Sequence, residues 1–177
     1  AQMMKDPTCK NPTVVLIADR IQLVDQTYAQ FRSAGMPALS TPQSAEALRT
    51  MLQSDKRGLI FPTVHKFKGA PLLSDRENII VLIDEAHRTQ EGGLGQSMRA
   101  ALPNAKFFGL TGTPIATLDK NTYDLFGHPD DTNRTLHAYT SDRSIADGMT
   151  VPIRVAARLV EFQLDQEGLD AAHQEML

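Results

Sequence analysis

The chain has one cysteine in 177 residues, Cys9, so no intrachain disulfide can form, and this usage points to a reducing compartment. No apolar run approaches the roughly 18 residues of a membrane span. Lys5, Asp6 and Lys10 interrupt the N-terminus where a signal peptide needs an apolar stretch. Charge of one sign is not in excess: 18 Lys and Arg face 21 Asp and Glu, a net of −3. There is thus no bulk field for nucleic acid, and DNA binding needs a local basic patch or a larger parent protein. Internal repeats, low-complexity tracts and linker-like stretches are also missing. These features fit a cytoplasmic α/β domain with a real core and no membrane partner.

Several site classes are missing too. Gly92, Gly93 and Gly95 do not form G-x-G-x-x-G before a helix, which argues against a dinucleotide site. Ser97 lacks the G-x-S-x-G of a hydrolase elbow. The five histidines and one cysteine show no metal-ligand spacing. No G-x-x-x-x-G-K-[ST] phosphate loop occurs anywhere.

What is present is an alternation of apolar runs and helical patterns. "TVVLIAD" (13–19), "GLIFPTV" (58–64), "NIIVLID" (78–84) and "AKFFGLT" (105–111) read as buried strands. In "RIQLVDQTYAQFRSAG" (20–35), Ile21, Val24, Tyr28 and Phe31 share one helix face and Gly35 ends it. "STPQSAEALRTMLQSD" (40–55) has Thr41 placed to cap and Pro42 in the first turn. "GGLGQSMRAALP" (92–103) reads as a glycine-started helix. "TLHAYT" (135–140), "SDRSIADG" (141–148) and "VPIRVAARLVEF" (151–162) read as strand, short capped helix and strand, with a helical tail at 163–177. The expected boundary lies near residues 148–152, where a helix stop meets a proline.

Strands separated by helices imply right-handed crossovers and a mostly parallel sheet. Such sheets carry their chemistry beyond the carboxyl ends of the strands, where Asp19, Asp84 and Thr111 sit. Asp84 and Glu85 are adjacent at the mouth of an apolar strand, so they point in different directions. One can hold Mg²⁺, which keeps several waters and takes one or two carboxylates plus phosphate oxygens. The other can orient or deprotonate water for in-line attack on a γ-phosphate. The plainer reading is an acidic helix start favoured by the helix dipole. Other features also have plain readings: His87 as a core histidine, Lys66 and Lys68 with Phe67 as a solvated turn, Arg20 as a phosphate contact or a partner of Asp25.

Thr111 follows Glu85 by 26 residues, and "DEAH" with "TGTP" downstream resembles motifs II and III of superfamily-two helicases and translocases. "DRIQLVDQ", "TVHKF", "VLIDEAHRTQEG", "FFGLTGTPI", "YDLFG", "LHAYT" and "IADG" resemble, more narrowly, the motor (R, or HsdR) subunit of type I restriction enzymes. The resemblance covers roughly residues 13–152. It implies a RecA-like (P-loop NTPase type) α/β fold, a mostly parallel sheet with flanking helices, here incomplete and lacking the P-loop strand. It implies a first, partial motor domain at 1–150 and the start of the connection to a second at 151–177.

The resemblance further implies ATP and Mg²⁺ as cofactors, Asp84 as the metal contact and Glu85 as the residue activating water. His87, Thr111, Gly112 and Thr113 would line the nucleotide site and relay hydrolysis to movement. Asp19, Arg20, Gln26, Thr63, Lys66 and Phe67 would lie near the DNA backbone. The expected partners are double-stranded DNA and the methyltransferase and specificity subunits of a restriction complex. Neither the P-loop nor the family's Glu-x-Lys nuclease pattern nor the second domain's arginine motif is present. The chain is therefore expected to be an interior piece of a motor, inactive alone. The alternatives are another superfamily-two helicase, a type III restriction motor, or a non-catalytic RecA-like binding or assembly module.

Overall fold

In a computed structural model, residues 6–117 and 121–156 are described, without the side chains at 89–92. The chain divides into two compact units, Ala1–Leu136 and His137–Leu177. The first is built on five parallel strands: β1 (Thr13–Ile17), β2 (Leu39–Ser40), β3 (Gly58–Ile60), β4 (Ile79–Asp84) and β5 (Lys106–Leu110). Their order across the sheet is β2-β3-β1-β4-β5. The four runs read as buried strands are all present and all parallel, and the fold is RecA-like α/β. The two-residue β2 was not foreseen, because a strand that short leaves no periodic pattern.

Parallel pairing buries both faces of the central strands, so their side chains divide alternately between two layers. Val15 and Ile17 of β1 join Leu48, Leu52, Met98 and Leu102 in one cluster, which the helices α2 (Ala45–Gln53) and α3 (Leu94–Ala101) cover. Val14 and Ala18 join Val24, Leu59, Phe61 and Ile80 in the other, beneath α1 (Ile21–Ser33). There Tyr28 and Phe31 meet Phe61 edge-on, with centroids 5.7 and 5.6 Å away. Each fully buried Val, Leu or Ile contributes about 1.5–3 kcal/mol relative to exposure. Of the expected α1 stripe, Val24 is buried and Tyr28 and Phe31 are half-buried, but Ile21 is half exposed. It sits at N1, where the helix has not yet closed on the sheet.

Two further expectations are corrected. The cap of α2 is Ser44, whose hydroxyl accepts the Ala47 N–H at 3.0 Å, so Thr41 and Pro42 precede the helix. Ser44 has the extended backbone of a cap and its oxygen reaches the third residue of the first turn. Ser44→Ala is expected to cost about 1 kcal/mol in a chemical denaturation curve and Thr41→Ala much less. An equal effect at both positions would refute this cap assignment. The second correction is "TLHAYT", which forms no strand; Leu136 and Tyr139 are 75% and 53% exposed and find no strand to pair with among the described residues.

Two glycines are required by close approach. Gly58 has φ +106°, and a Cβ there would lie 2.3 Å from the Ala38 carbonyl oxygen, which accepts the Leu59 N–H at the β2–β3 pairing. At Gly109 a Cβ would meet the Cβ of Ala86 at 2.8 Å and the Phe126 ring at 2.9 Å. Phe126 ends α4 (Thr122–Phe126), a helix the sequence reading missed, capped by Asn121 Oδ1 on the N–H groups of Tyr123 and Asp124. The Arg99 guanidinium of α3 lies over the Phe107 and Phe126 rings and donates to the Leu125 carbonyl at 2.6 Å. Burial holds Arg99 below the ordinary arginine pKa.

Considered by itself, the second unit contains the expected short helix, α5 (Ser141–Ala146), capped by Thr140 and closed by Gly148 at φ +70°. Residues 151–156, read as the start of a strand, form none, and Val151, Ile153 and Val155 are almost fully exposed. The rest of that expected strand, 157–162, and the expected tail helix at 163–177 lie outside the described residues.

Candidate functional site

Register decides which strand ends meet. Ile17 pairs with Ile83 across β1 and β4, so the chain leaves both strands at the same edge, through Ala18–Asp19 and Asp84–Glu85. Asp84 pairs with Leu110 across β4 and β5, so Glu85 and Thr111 leave the sheet together. Ala18 bridges to Thr63 on the other flank, and its carbonyl accepts the Val64 N–H at 3.1 Å. Four segments far apart in sequence thus deliver Thr63, Asp19, Asp84–Glu85 and Thr111 to one edge.

The acid turn is strained. Glu85 has φ +49°, left-handed and costly by about 1–2 kcal/mol for a non-glycine residue. Asp84 Oδ1 accepts the Glu85 N–H at 3.0 Å, and the Glu85 carbonyl accepts the Arg88 N–H at 2.9 Å. This reversal sends Ala86 into the core. The segment Ala86–Gly93 then continues as a 3-10 helix into α3.

His87 is the hub of the β5 side. Its Nδ1 lies 2.8 Å from Thr111 Oγ1, 3.3 Å from Glu85 Oε2 and 3.4 Å from Thr113 Oγ1. Thr111 Oγ1 also accepts the Thr113 N–H at 3.1 Å, which leaves its own hydrogen free for His87. Nδ1 carries either a lone pair or one hydrogen. A bare Nδ1 accepts from Thr111, whereas a protonated one favours the Glu85 carboxylate. His87 is 19% exposed, so it is neither a satisfied core residue nor a free surface group. Gly112 has open space where a side chain would be.

On the β1 side a cavity of about 250 Å³ is bounded by Asp19, His65, Asp84, Glu85, Arg88 and Leu94. Arg88 Nη1 lies 2.5 Å from Asp19 Oδ2, and Arg20 Nε approaches the same oxygen at 3.8 Å, so Arg20 leans on Asp19 rather than on Asp25. Sequence reading quoted Arg88 but gave it no role. A partner 69 residues away leaves no local signal.

The residues expected near DNA do not all share one surface. Arg20 and Gln26 are exposed, and Lys66 Nζ donates to Thr63 Oγ1 at 3.3 Å. Phe67 is a correction: its ring is fully buried in the core cluster with Leu73 and Ile79, so it packs and cannot stack on a base.

Among the described residues no cluster of three or more His, Cys, Asp or Glu could cage a metal. A cation beside Asp84 would therefore keep waters or phosphate oxygens, as Mg²⁺ does. Asp84 Oδ2 is the carboxylate oxygen not engaged by the Glu85 N–H.

Comparison with known proteins gives the chain's family. The chain is 36% identical over 98% of its length to the MjaIXP type I restriction enzyme endonuclease subunit of Methanocaldococcus jannaschii. It is 38% identical over 86% of its length to the type I restriction enzyme HindI endonuclease subunit of Haemophilus influenzae. It is 30% identical over 76% to the SauCOLORF180P endonuclease subunit of Staphylococcus aureus. The chain spans 16% of the length of the first two of these relatives. The sequence resemblance to type I restriction motor subunits thus stands, with homologues named as endonuclease subunits of such enzymes. A model of the SWI2/SNF2 ATPases matches residues 1–177, and the chain belongs to the SWI2/SNF2 ATPase family.

Proposed function

We propose that this chain is part of the ATP-dependent DNA translocase motor of a type I restriction endonuclease, coupling ATP hydrolysis to movement along double-stranded DNA before cleavage. The observation that supports this most is the β4–β5 register, which sets Glu85, His87 and Thr111 within hydrogen-bond reach at the carboxyl edge of the sheet. Asp84, with one oxygen engaged by the backbone, would hold Mg²⁺ with its carboxylate, directly or through water. Bound Mg·ATP supplies the scissile phosphate and the cation that neutralises its charge. Glu85 accepts the proton of an attacking water. His87 changes partner between Glu85 and Thr111, and Thr111, Gly112 and Thr113 face the nucleotide.

Asp19, Arg20, Gln26, Thr63 and Lys66 contribute weak, sequence-independent backbone contacts to DNA. Residues 1–150 belong to the first motor domain and 151–177 begin the connection to the second. The open edge of β5, where Phe108 and Leu110 are 39% and 52% exposed, is the natural place for a further strand carrying a phosphate cradle. The methyltransferase and specificity subunits complete the assembly, in the cytoplasm. No helix among the described residues is long and apolar enough to cross a membrane.

The test is ATP hydrolysis by the full-length protein with and without DNA. Stimulation by DNA is the expected result, and its absence would sink the motor reading in favour of a binding or assembly module. In the same protein Asp84→Asn is expected to weaken Mg·ATP binding about tenfold, or ~1.4 kcal/mol, measured by calorimetry. Unchanged Mg²⁺-dependent affinity would remove Asp84 as the metal contact.

A further inference from the structure

The Arg88–Asp19 ion pair joins two segments to which the proposed mechanism gives different tasks. Arg88 belongs to the acid turn, because its N–H closes that turn on the Glu85 carbonyl at 2.9 Å. Asp19 belongs to the segment after β1, and its Oδ2 is approached both by Arg88 at 2.5 Å and by Arg20 at 3.8 Å. Three carboxylates, Asp19, Asp84 and Glu85, bound one cavity with a single guanidinium, that of Arg88. Arg88 could have neutralised any of them, yet its ion pair is with Asp19. That choice leaves Asp84 and Glu85 without a cation of their own from this arginine.

We propose that Arg88 is a positioning residue: through Asp19 it ties the acid turn to the segment carrying Arg20, so that a change at Glu85 is felt where DNA is held. The inference rests on the motor reading above. Its physical basis is a lever of short parts. A rotation of the strained Glu85 peptide moves its carbonyl, the Arg88 N–H follows, and the guanidinium carries Asp19 with it. An ordinary exposed pair would instead contribute little and couple nothing. Asp19 is 24% exposed and Arg88 46%, so the pair lies between the surface and buried extremes.

The experiment uses the full-length protein and compares Arg88→Gln, Arg88→Lys, and the exchanged pair Asp19→Arg with Arg88→Asp. Arg88→Gln is expected to leave DNA-independent ATP hydrolysis and the KM for ATP within about twofold. Its DNA-stimulated kcat should fall about fivefold, equivalent to ~1 kcal/mol, the upper end for an accessible ion pair. Arg88→Lys should recover most of that loss, and the exchanged pair should stimulate better than either reversal alone. A thermal melt within a few degrees of wild type separates this from a folding defect. The proposal is overturned if Arg88→Gln keeps its stimulation, if it loses basal and stimulated rates equally, or if the exchanged pair does no better than its single changes. A wild-type protein that DNA does not stimulate overturns the motor reading itself, and this proposal with it. That outcome is recognisable before any variant is made.

Discussion

Glu85→Gln in the full-length protein should lower ATP turnover about a thousandfold while leaving Mg·ATP affinity within a few-fold of wild type. A positioned general base contributes about 10²–10⁴ to a rate, and glutamine cannot accept a proton. The amide has nearly the same shape, so it can keep the 3.3 Å contact with His87 Nδ1 and the left-handed turn. Asp84, the proposed metal contact, is untouched, which is why binding should survive. Glu85 is 45% exposed on its side chain, so water reaches it without a rearrangement of the fold. Single-turnover hydrolysis measured beside nucleotide affinity separates the two effects. Hydrolysis within a few-fold of wild type would assign the base to another group, and a parallel collapse of affinity would make Glu85 a binding residue.

The strained backbone bears on the same residue. A glutamate at φ +49° persists only where its surroundings hold it. The Asp84 carboxylate on its N–H and the Arg88 N–H on its carbonyl do so from both ends. Adjacent acids at the end of a strand predicted that the two carboxylates would diverge. They did not predict the left-handed turn at Glu85, because glutamate has no intrinsic preference for it.

The same division runs through the fold. The strands "TVVLIAD" and "NIIVLID" were legible because burial on both faces demands continuous apolar residues, and their carboxyl ends were legible with them. Which strand ends become neighbours was not legible, because register is a tertiary property. Only the pairing of Ile17 with Ile83 and of Asp84 with Leu110 brings Asp19, Glu85 and Thr111 to one edge. Thr41 was read as the cap of α2, but the cap is Ser44, whose extended backbone places its hydroxyl on the Ala47 N–H. Phe67 beside two lysines resembled a nucleic-acid contact, yet its short 3-10 turn (Val64–Phe67) points the ring inward and leaves Lys68 exposed. Leu136 and Tyr139 had the composition of a strand, but a strand also needs a neighbour.

The coupling step makes the second large prediction. Replacing Thr111 and Thr113 together by alanine should slow DNA translocation about thirtyfold while DNA-stimulated ATP hydrolysis stays within about threefold. His87 Nδ1 then loses two of its three polar neighbours, Thr111 at 2.8 Å and Thr113 at 3.4 Å, and keeps Glu85 at 3.3 Å. Two hydroxyl hydrogen bonds at about 1 kcal/mol each account for that factor. The loss should fall on movement because neither hydroxyl is asked to accept the proton or to hold the cation. Their task is to give His87 an alternative to Glu85. Without that alternative the imidazole has one partner before and after hydrolysis, and the β5 turn receives no signal. Serine at both positions keeps both hydroxyls and should restore translocation to within a few-fold of wild type, whereas valine keeps the volume and should not. Measured by triplex displacement beside phosphate release, equal losses in the alanine variant would mean that these threonines serve the chemistry or the fold, and not the relay.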